Sequence, residues 1–182
     1  MRLHVAEDVR RALLGLVEQT VGGTAEAHAP IEPSGFAAIL ERTAQVTRIW
    51  SGPAFCFPRT LSTPAGTVLI EEGNAHLLRP LLHEWMSDIA TYRPTLVLME
   101  AERAVALCCS VRRTDDAHEA GVETAPMHRG RGYAALVTMA WASAVRGLGR
   151  VPIYSTSWQN AASRTVARKL GLICFGSDMH IT

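Results

Sequence analysis

A chain of 182 residues with 48% hydrophobic and 19% charged residues is not disordered, and it is long enough to bury a core of its own as one domain. Its formal net charge of +1 gives no long-range pull toward nucleic acid or an anionic membrane, so neither partner is expected. The opening MRLHVAEDVRR is charged where a signal peptide would be apolar, and no apolar run approaches about 18 residues; a cytoplasmic protein is expected.

In chain order, Val5, Val9, Leu13, Leu16 and Val17 fall on one stripe, which predicts a helix over 4–20 ended by Gly22-Gly23. Residues 24–35 read as a connection and Phe36–Ile49 as a second helix. Pro53, Pro58 and Pro64 leave short extended pieces at best between Trp50 and Thr67. A short strand at Thr67–Ile70 precedes a helix capped by Asn74 and running to about Ala90, with Leu77, Leu78, Leu81, Leu82 and Trp85 inward. Leu96–Met99 and Ala104–Val111 form a hairpin around Glu100–Arg103.

A strand over 118–124 leads to Pro126 and the turn Arg129-Gly130-Arg131-Gly132. A helix follows from Tyr133 to about Arg146, its apolar face made by Tyr133, Leu136, Val137, Ala140, Trp141, Ala144 and Val145. Then come a strand at Val151–Thr156, a helix at Asn160–Leu170 and a last strand at Leu172–Ile181. The order makes a mixed α/β sheet.

Four cysteines (Cys56, Cys108, Cys109, Cys174) show neither metal-binding spacing nor a disulfide framework. Cys108 and Cys109 are expected as buried thiols on opposite faces of one strand. No metal is expected.

Strand, glycine-punctuated turn and helix N-terminus together make an anion site. The first helical turn carries unpaired N–H groups and partial positive charge, and glycine lets backbone approach phosphate oxygens. Gly130-x-Gly132-x-x-Ala135 also matches the dinucleotide fingerprint, which would make the chain a nicotinamide-dependent reductase. That motif needs an acidic residue at the end of the next strand. Tyr154-Ser155-Thr156-Ser157-Trp158 has none, and about fifty residues after the glycines are too few for a dinucleotide half with its companion.

Arg129-x-x-Gly132-x-Ala134 resembles instead the pyrophosphate loop [Q/R]-x-x-G-x-[G/A] of the GNAT superfamily of acyl-CoA-dependent N-acyltransferases. Val122-Glu123-Thr124-x-Pro126 before it, and Asn160-Ala-Ala-Ser163 through Lys169-Leu-Gly171-Leu172 after it, are similar to that superfamily in order and spacing. The wording is most similar to a branch that includes zwittermicin-resistance acetyltransferases. The matched motifs cover about residues 95–181, and residues 1–94 carry no motif.

The resemblance implies a single GNAT-type domain over 1–182: helices on both faces of a mixed, mostly antiparallel sheet whose strands at 118–124 and 151–156 splay apart. About 1–94 would serve the acceptor and about 95–182 the acyl-CoA. It implies acetyl-CoA as co-substrate and a small-molecule or peptide amine as acceptor, with transfer by direct attack; a homodimer stays open. Pantetheine would bond the backbone of Val122, Glu123 and Thr124, and the amides of Arg129, Gly130, Arg131, Gly132, Tyr133 and Ala134 would hold the pyrophosphate. Asn160 is either a CoA contact or a helix N-cap. At least one of Arg129 and Arg131 is expected to touch phosphate.

Candidate bases for the amine are His118, whose ordinary pKa near 6.5 suits the role, and Glu119 and Glu123, which strand alternation puts on the opposite face. A base outside this strand, or a water chain, stays open. The family's proton-donating tyrosine falls on Ala167, so Ser163 is the candidate donor to the departing thiolate. Tyr154 and Trp158 line or pack the notch. The missing tyrosine also admits a different class of protein, a non-catalytic acyl-CoA-binding or sensing module.

Overall fold

The computed structural model describes residues 7–21, 32–61, 64–79 and 82–182. Seven strands are hydrogen-bonded in the order β2-β3-β4-β5-β6-β1-β7: β1 is Ile49–Cys56, β2 Thr67–Ile70, β3 Thr95–Glu100, β4 Arg103–Arg113, β5 Ala117–Thr124, β6 Val151–Ser155 and β7 Ile173–Ile181. This mostly antiparallel mixed α/β sheet is the expected fold class. Among the described residues the α-helices are α1 (Glu7–Val21), α2 (Ser34–Leu40), α3 (Tyr133–Gly147) and α4 (Ala161–Lys169). None among the described residues is long and apolar enough to cross a membrane.

The chain divides into two compact units. The larger holds Phe55–Ser155 and Ala161–Ile173. At its centre β4 is buried from Ala104 to Ser110, as its nearly unbroken apolar run requires of a strand covered on both faces. One face packs under α3, whose Val137, Trp141, Ala142 and Val145 have no solvent exposure. The other face packs Val97, Leu107 and Cys109 against Leu78, Leu82 and Ile89. Cys108 lies in the α3-side core and Cys109 in the opposite one, as alternation predicts. Burial pushes the Cys109 thiol up to about 12 and raises Cys108 well above its ordinary value. Leu136 departs from the expected apolar face of α3 and stands 37% exposed.

Two local expectations here are corrected. Asn74 does not begin a long helix: its Oδ1 accepts the Glu71 N–H at 2.7 Å and its Nδ2 donates to Leu69 O at 2.9 Å. It is thus the third residue of a capping box over a 3₁₀ helix at Glu72–Leu78, and a second 3₁₀ helix follows at His83–Asp88. Leu81 lies outside the described residues.

The smaller unit comprises Met1–Ala54, Thr156–Asn160 and Cys174–Thr182. Helix α2 ends at Leu40 rather than Ile49, and Phe36 and Ala37 are its buried residues. Val5, in the stripe predicted for the first helix, and Gly22-Gly23 at its end lie outside the described residues. Despite Pro53, Ile49–Cys56 is a full strand. Proline loses a donor but keeps an acceptor, and Pro53 O takes the Thr156 N–H at 3.3 Å while Ser51 O takes that of Trp158. Gly52 lies so near Thr156 that an added Cβ would sit 1.7 Å from its carbonyl oxygen.

Candidate active site

The two strands that matter most, β5 and β6, run parallel and pair only over Ala117↔Val151, His118↔Pro152 and Glu119↔Ile153. Beyond Glu119 the edge of β5 opens. The Ala125 N–H bonds Val105 O at 2.9 Å. In an antiparallel ladder, Glu123 and Ala125 therefore turn their backbone groups to β4, and Val122 and Thr124 turn theirs to the open edge. The backbone of Glu123, expected to meet pantetheine, is committed to β4. Val122 and Thr124 are left facing outward.

From β5 the chain passes through a 3₁₀ turn, Pro126–His128, into the glycine loop. Gly130 (φ 79°) and Gly132 (φ 86°) occupy the left-handed region that disfavours side chains, and a Cβ on either would meet nothing within 4 Å. Backbone here is bent by glycine and open to approach. The helical ladder begins with Ala135 and Leu136 donating to Gly132 O. The amides of Tyr133 and Ala134 precede it, as at any helix start, and carry the positive end of the α3 dipole.

Arg129 and Arg131 differ. Arg129 Nε donates to Thr124 O at 3.0 Å, which folds the loop back onto the end of β5. Arg131 Nη1 stands 3.4 Å from Glu100, the last residue of β3. The same carboxylate accepts the Tyr133 hydroxyl at 2.8 Å and lies 3.3 Å from His128 Nε2. Glu100 thus gathers three residues of the turn and helix start. Sequence reasoning assigned it only to a hairpin turn, since nothing local links it to residues 28 to 33 positions on.

The base candidates separate by face. His118 and Ser110 lie on the α3 side, where Trp141 Nε1 donates to Ser110 Oγ at 3.1 Å. Ser110 Oγ is 3.0 Å from His118 Nδ1, and its hydroxyl donates there in the arrangement that uses every group. Burial, then the charges of Arg113 and Arg150, lower the His118 pKa, so the ring is neutral near pH 7. Its role in this arrangement is a core hydrogen bond.

Glu119 and Glu123 occupy the other face, as alternation requires. Arg112 holds Glu119 through Nε at 2.5 Å and Nη2 at 2.7 Å, and Ser155 Oγ donates to the same carboxylate. Both its oxygens are engaged at the last paired position of β5. Glu123 accepts Trp85 Nε1 at 2.7 Å through Oε2 alone. Trp85 is in turn set edge-on against Tyr92, with ring centroids 5.8 Å apart.

On the β6 side, Tyr154 is the first residue past the paired register, and its hydroxyl meets Ser163 Oγ of α4 at 2.5 Å. Burial pushes the Tyr154 hydroxyl up to about 12, so it stays protonated. Ala167, one turn after Ser163, is buried at 2% exposure and offers no polar atom. Asn160 is exposed, just ahead of α4, with its N–H on Ser157 O at 3.1 Å; Trp158 lies in the same segment of the smaller unit. No group of His, Cys, Asp and Glu among the described residues could hold a metal ion.

A parallel pair that opens after three residues is followed here by a glycine loop feeding a helix N-terminus. Residues 87–176, which carry that geometry, match the sequence pattern of the family described as GNAT acetyltransferase. The fold is shared with a GNAT-family protein from Novosphingobium aromaticivorans DSM 12444 (TM-score 0.62, 21% identity, 74% of this chain and 64% of that one). It is shared also with a GCN5-related N-acetyltransferase-like protein from Streptococcus suis 89/1591 (0.59, 17%, 81% and 67%). A GCN5-related N-acetyltransferase from Sphaerobacter thermophilus is similar over 96% of this chain and 66% of that one (0.53, 16%). This chain therefore spans about two thirds of the length of these structures. No curated protein matches it.

Proposed function

We propose that the protein is an acetyl-CoA-dependent N-acetyltransferase acting on an amine by direct attack on the thioester. The observation that carries this reading is the open edge of β5 continuing into a loop whose two glycines have positive φ and nothing above them. An extended pantetheine has the shape to add to that edge through Val122 and Thr124, and the amides at the start of α3 suit a diphosphate. The wording of the loop and of Glu119 and Glu123 supports the zwittermicin-resistance-like branch, and the reducing cytoplasm is the setting the sequence favours.

In this mechanism the amine nitrogen bonds to the acetyl carbonyl carbon, the carbon–sulfur bond breaks and the thiolate takes up a proton. Glu123 is the base that removes the ammonium proton. One of its oxygens is fixed by Trp85 and the other is uncommitted among the described contacts, whereas Glu119 spends both on Arg112 and Ser155. Ser163, hydrogen-bonded to Tyr154, is the proton donor to the departing thiolate, in place of a tyrosine at the position of the buried Ala167.

The buried Ala167 also favours the second reading, a module that binds acyl-CoA without turning it over. Free-thiol release from acetyl-CoA, measured over a panel of small amines, amino acids, polyamines and peptides, separates the two. Amine-dependent release supports the transferase. CoA binding with no release from any acceptor supports the module, and no binding of CoA defeats both.

A further inference from the structure

Strand β4 shifts register against β5 between Ser110, opposite Ala120, and Arg112, opposite Glu119, so Val111 is the residue passed over in a β-bulge. A bulge re-aims a side chain. Here it sends Val111 across onto β5: a Cβ added at Gly121 would collide with Val111 Cγ1, so the valine fills the space that a side chain at 121 would take. Gly121 shares a face with Glu119 and Glu123, each two residues and about 7 Å away along the strand. Val111 therefore stands between the two glutamates as the apolar surface of that face. It packs against the core that also receives Trp85 and Tyr92, and all three, like Glu123, are only partly buried.

The charges on either side of Val111 differ. On one side, the Glu119 carboxylate is closed by Arg112 and Ser155. On the other, Glu123 accepts from the neutral indole N–H of Trp85 and meets no cation among the described contacts. A ligand on this face thus finds one unneutralised carboxylate, then methyl groups, then an ion pair already complete. One cation on an apolar body complements that order. A second cation would lose water against Val111 with no carboxylate to receive it.

We infer that the acceptor is a primary amine with a single cationic nitrogen on an uncharged apolar body, and that Val111 selects it. The inference deepens the transferase reading and rests on it: the ammonium group meets Glu123, the proposed base, and the carbons beyond it lie on Val111. Val111 touches no reacting atom and acts on binding of the amine alone.

Hexylamine is long enough to reach from Glu123 to Val111, and hexane-1,6-diamine adds a second ammonium group to the same chain. Thiol release from acetyl-CoA by the full chain should give a kcat/KM at least about tenfold higher for hexylamine, a discrimination within reach of a hydrophobic pocket. Val111→Thr keeps the shape and adds a hydroxyl, and should raise the KM for hexylamine about tenfold. Its kcat and its KM for acetyl-CoA should be little changed. Val111→Ala, which trims both methyl groups, should also raise the hexylamine KM while leaving that of ethylamine, too short to reach residue 111, as in wild type.

Equal turnover of hexylamine and the diamine, or preference for the diamine, overturns the inference. Wild-type KM for hexylamine in both variants does so too, as does an equal effect of Val111→Ala on hexylamine and ethylamine, the mark of a purely structural role. Turnover of amino acids, polyamines or peptides without turnover of hexylamine overturns it and leaves the transferase reading standing. Thiol release with no amine at all defeats the transferase reading, and the inference with it.

Discussion

The two halves of β5 make an instructive contrast. Over Ala117–Glu119 the strand is paired on both sides, and its side chains are spoken for: His118 by Ser110, Glu119 by Arg112 and Ser155. Over Ala120–Thr124 it keeps only β4, Glu123 binds through one oxygen, and Thr124 Oγ1 has no partner among the described residues. One strand thus supplies a fixed base and a receptive end. The division falls at Glu119, where a sequence scan saw two equivalent glutamates.

The sharpest way to break this contrast is at the loop that continues the receptive half. Gly132→Asp puts a carboxylate at the proposed diphosphate seat and a side chain at φ 86°. CoA affinity measured by calorimetry should fall by roughly two to four orders of magnitude, as roughly 3–5 kcal/mol for an uncompensated charge implies. Gly132→Ala carries the backbone strain alone and should lose much less.

The second test sets the two glutamates against each other. Glu123→Gln keeps an acceptor for Trp85 but removes the proposed base, so kcat should drop by about 10²–10⁴ with the KM for acetyl-CoA little changed. Glu119→Gln should leave kcat within a few-fold of wild type and lower stability by about 1 kcal/mol. That figure is modest because its partner Arg112 is 46% exposed. Thermal denaturation should register about 2–4 °C. Reversed outcomes would exchange the roles assigned to the two halves.

The smallest effect concerns acid. Because burial lowers the His118 pKa in the folded protein, the unfolded chain takes up the proton first on acidification. This residue's contribution is fully present above about pH 6.5 and is lost as pH falls from there through the depressed folded value. Denaturant melts at pH 7.5 and 5.5 should show a decline in stability from this source, diminished in His118→Gln. A His118 exposed to substrate would show instead in the pH profile of kcat.

How much of this could be read from the chain alone follows the range of the interactions. Gly132 and the amphipathic run after it announce strand, turn and helix within about fifteen residues, and there the reading and the structure agree closely. Pro53 misled because a strand can lose one donor and still be held by the acceptors of its neighbours, which is a tertiary matter. Asn74 misled more subtly. It does stabilise a helix start, but from inside the first turn, and the helix is a short 3₁₀ segment. The engagement of Glu119 and Glu123 was beyond reach, because Arg112, Ser155 and Trp85 meet them only when strands are laid side by side and a 3₁₀ helix covers the sheet.

Glu100 carries one more consequence. By drawing Arg131 to itself, it offsets one of the two arginine charges that the loop's composition advertises, leaving the Arg129 guanidinium as the less encumbered cation of the turn. The proposed recognition of a nucleotide tail here then depends on shape and oriented amides more than on net attraction. Such a grip should tolerate physiological salt well and discriminate poorly among polyanions at a distance, selecting them only on close fit.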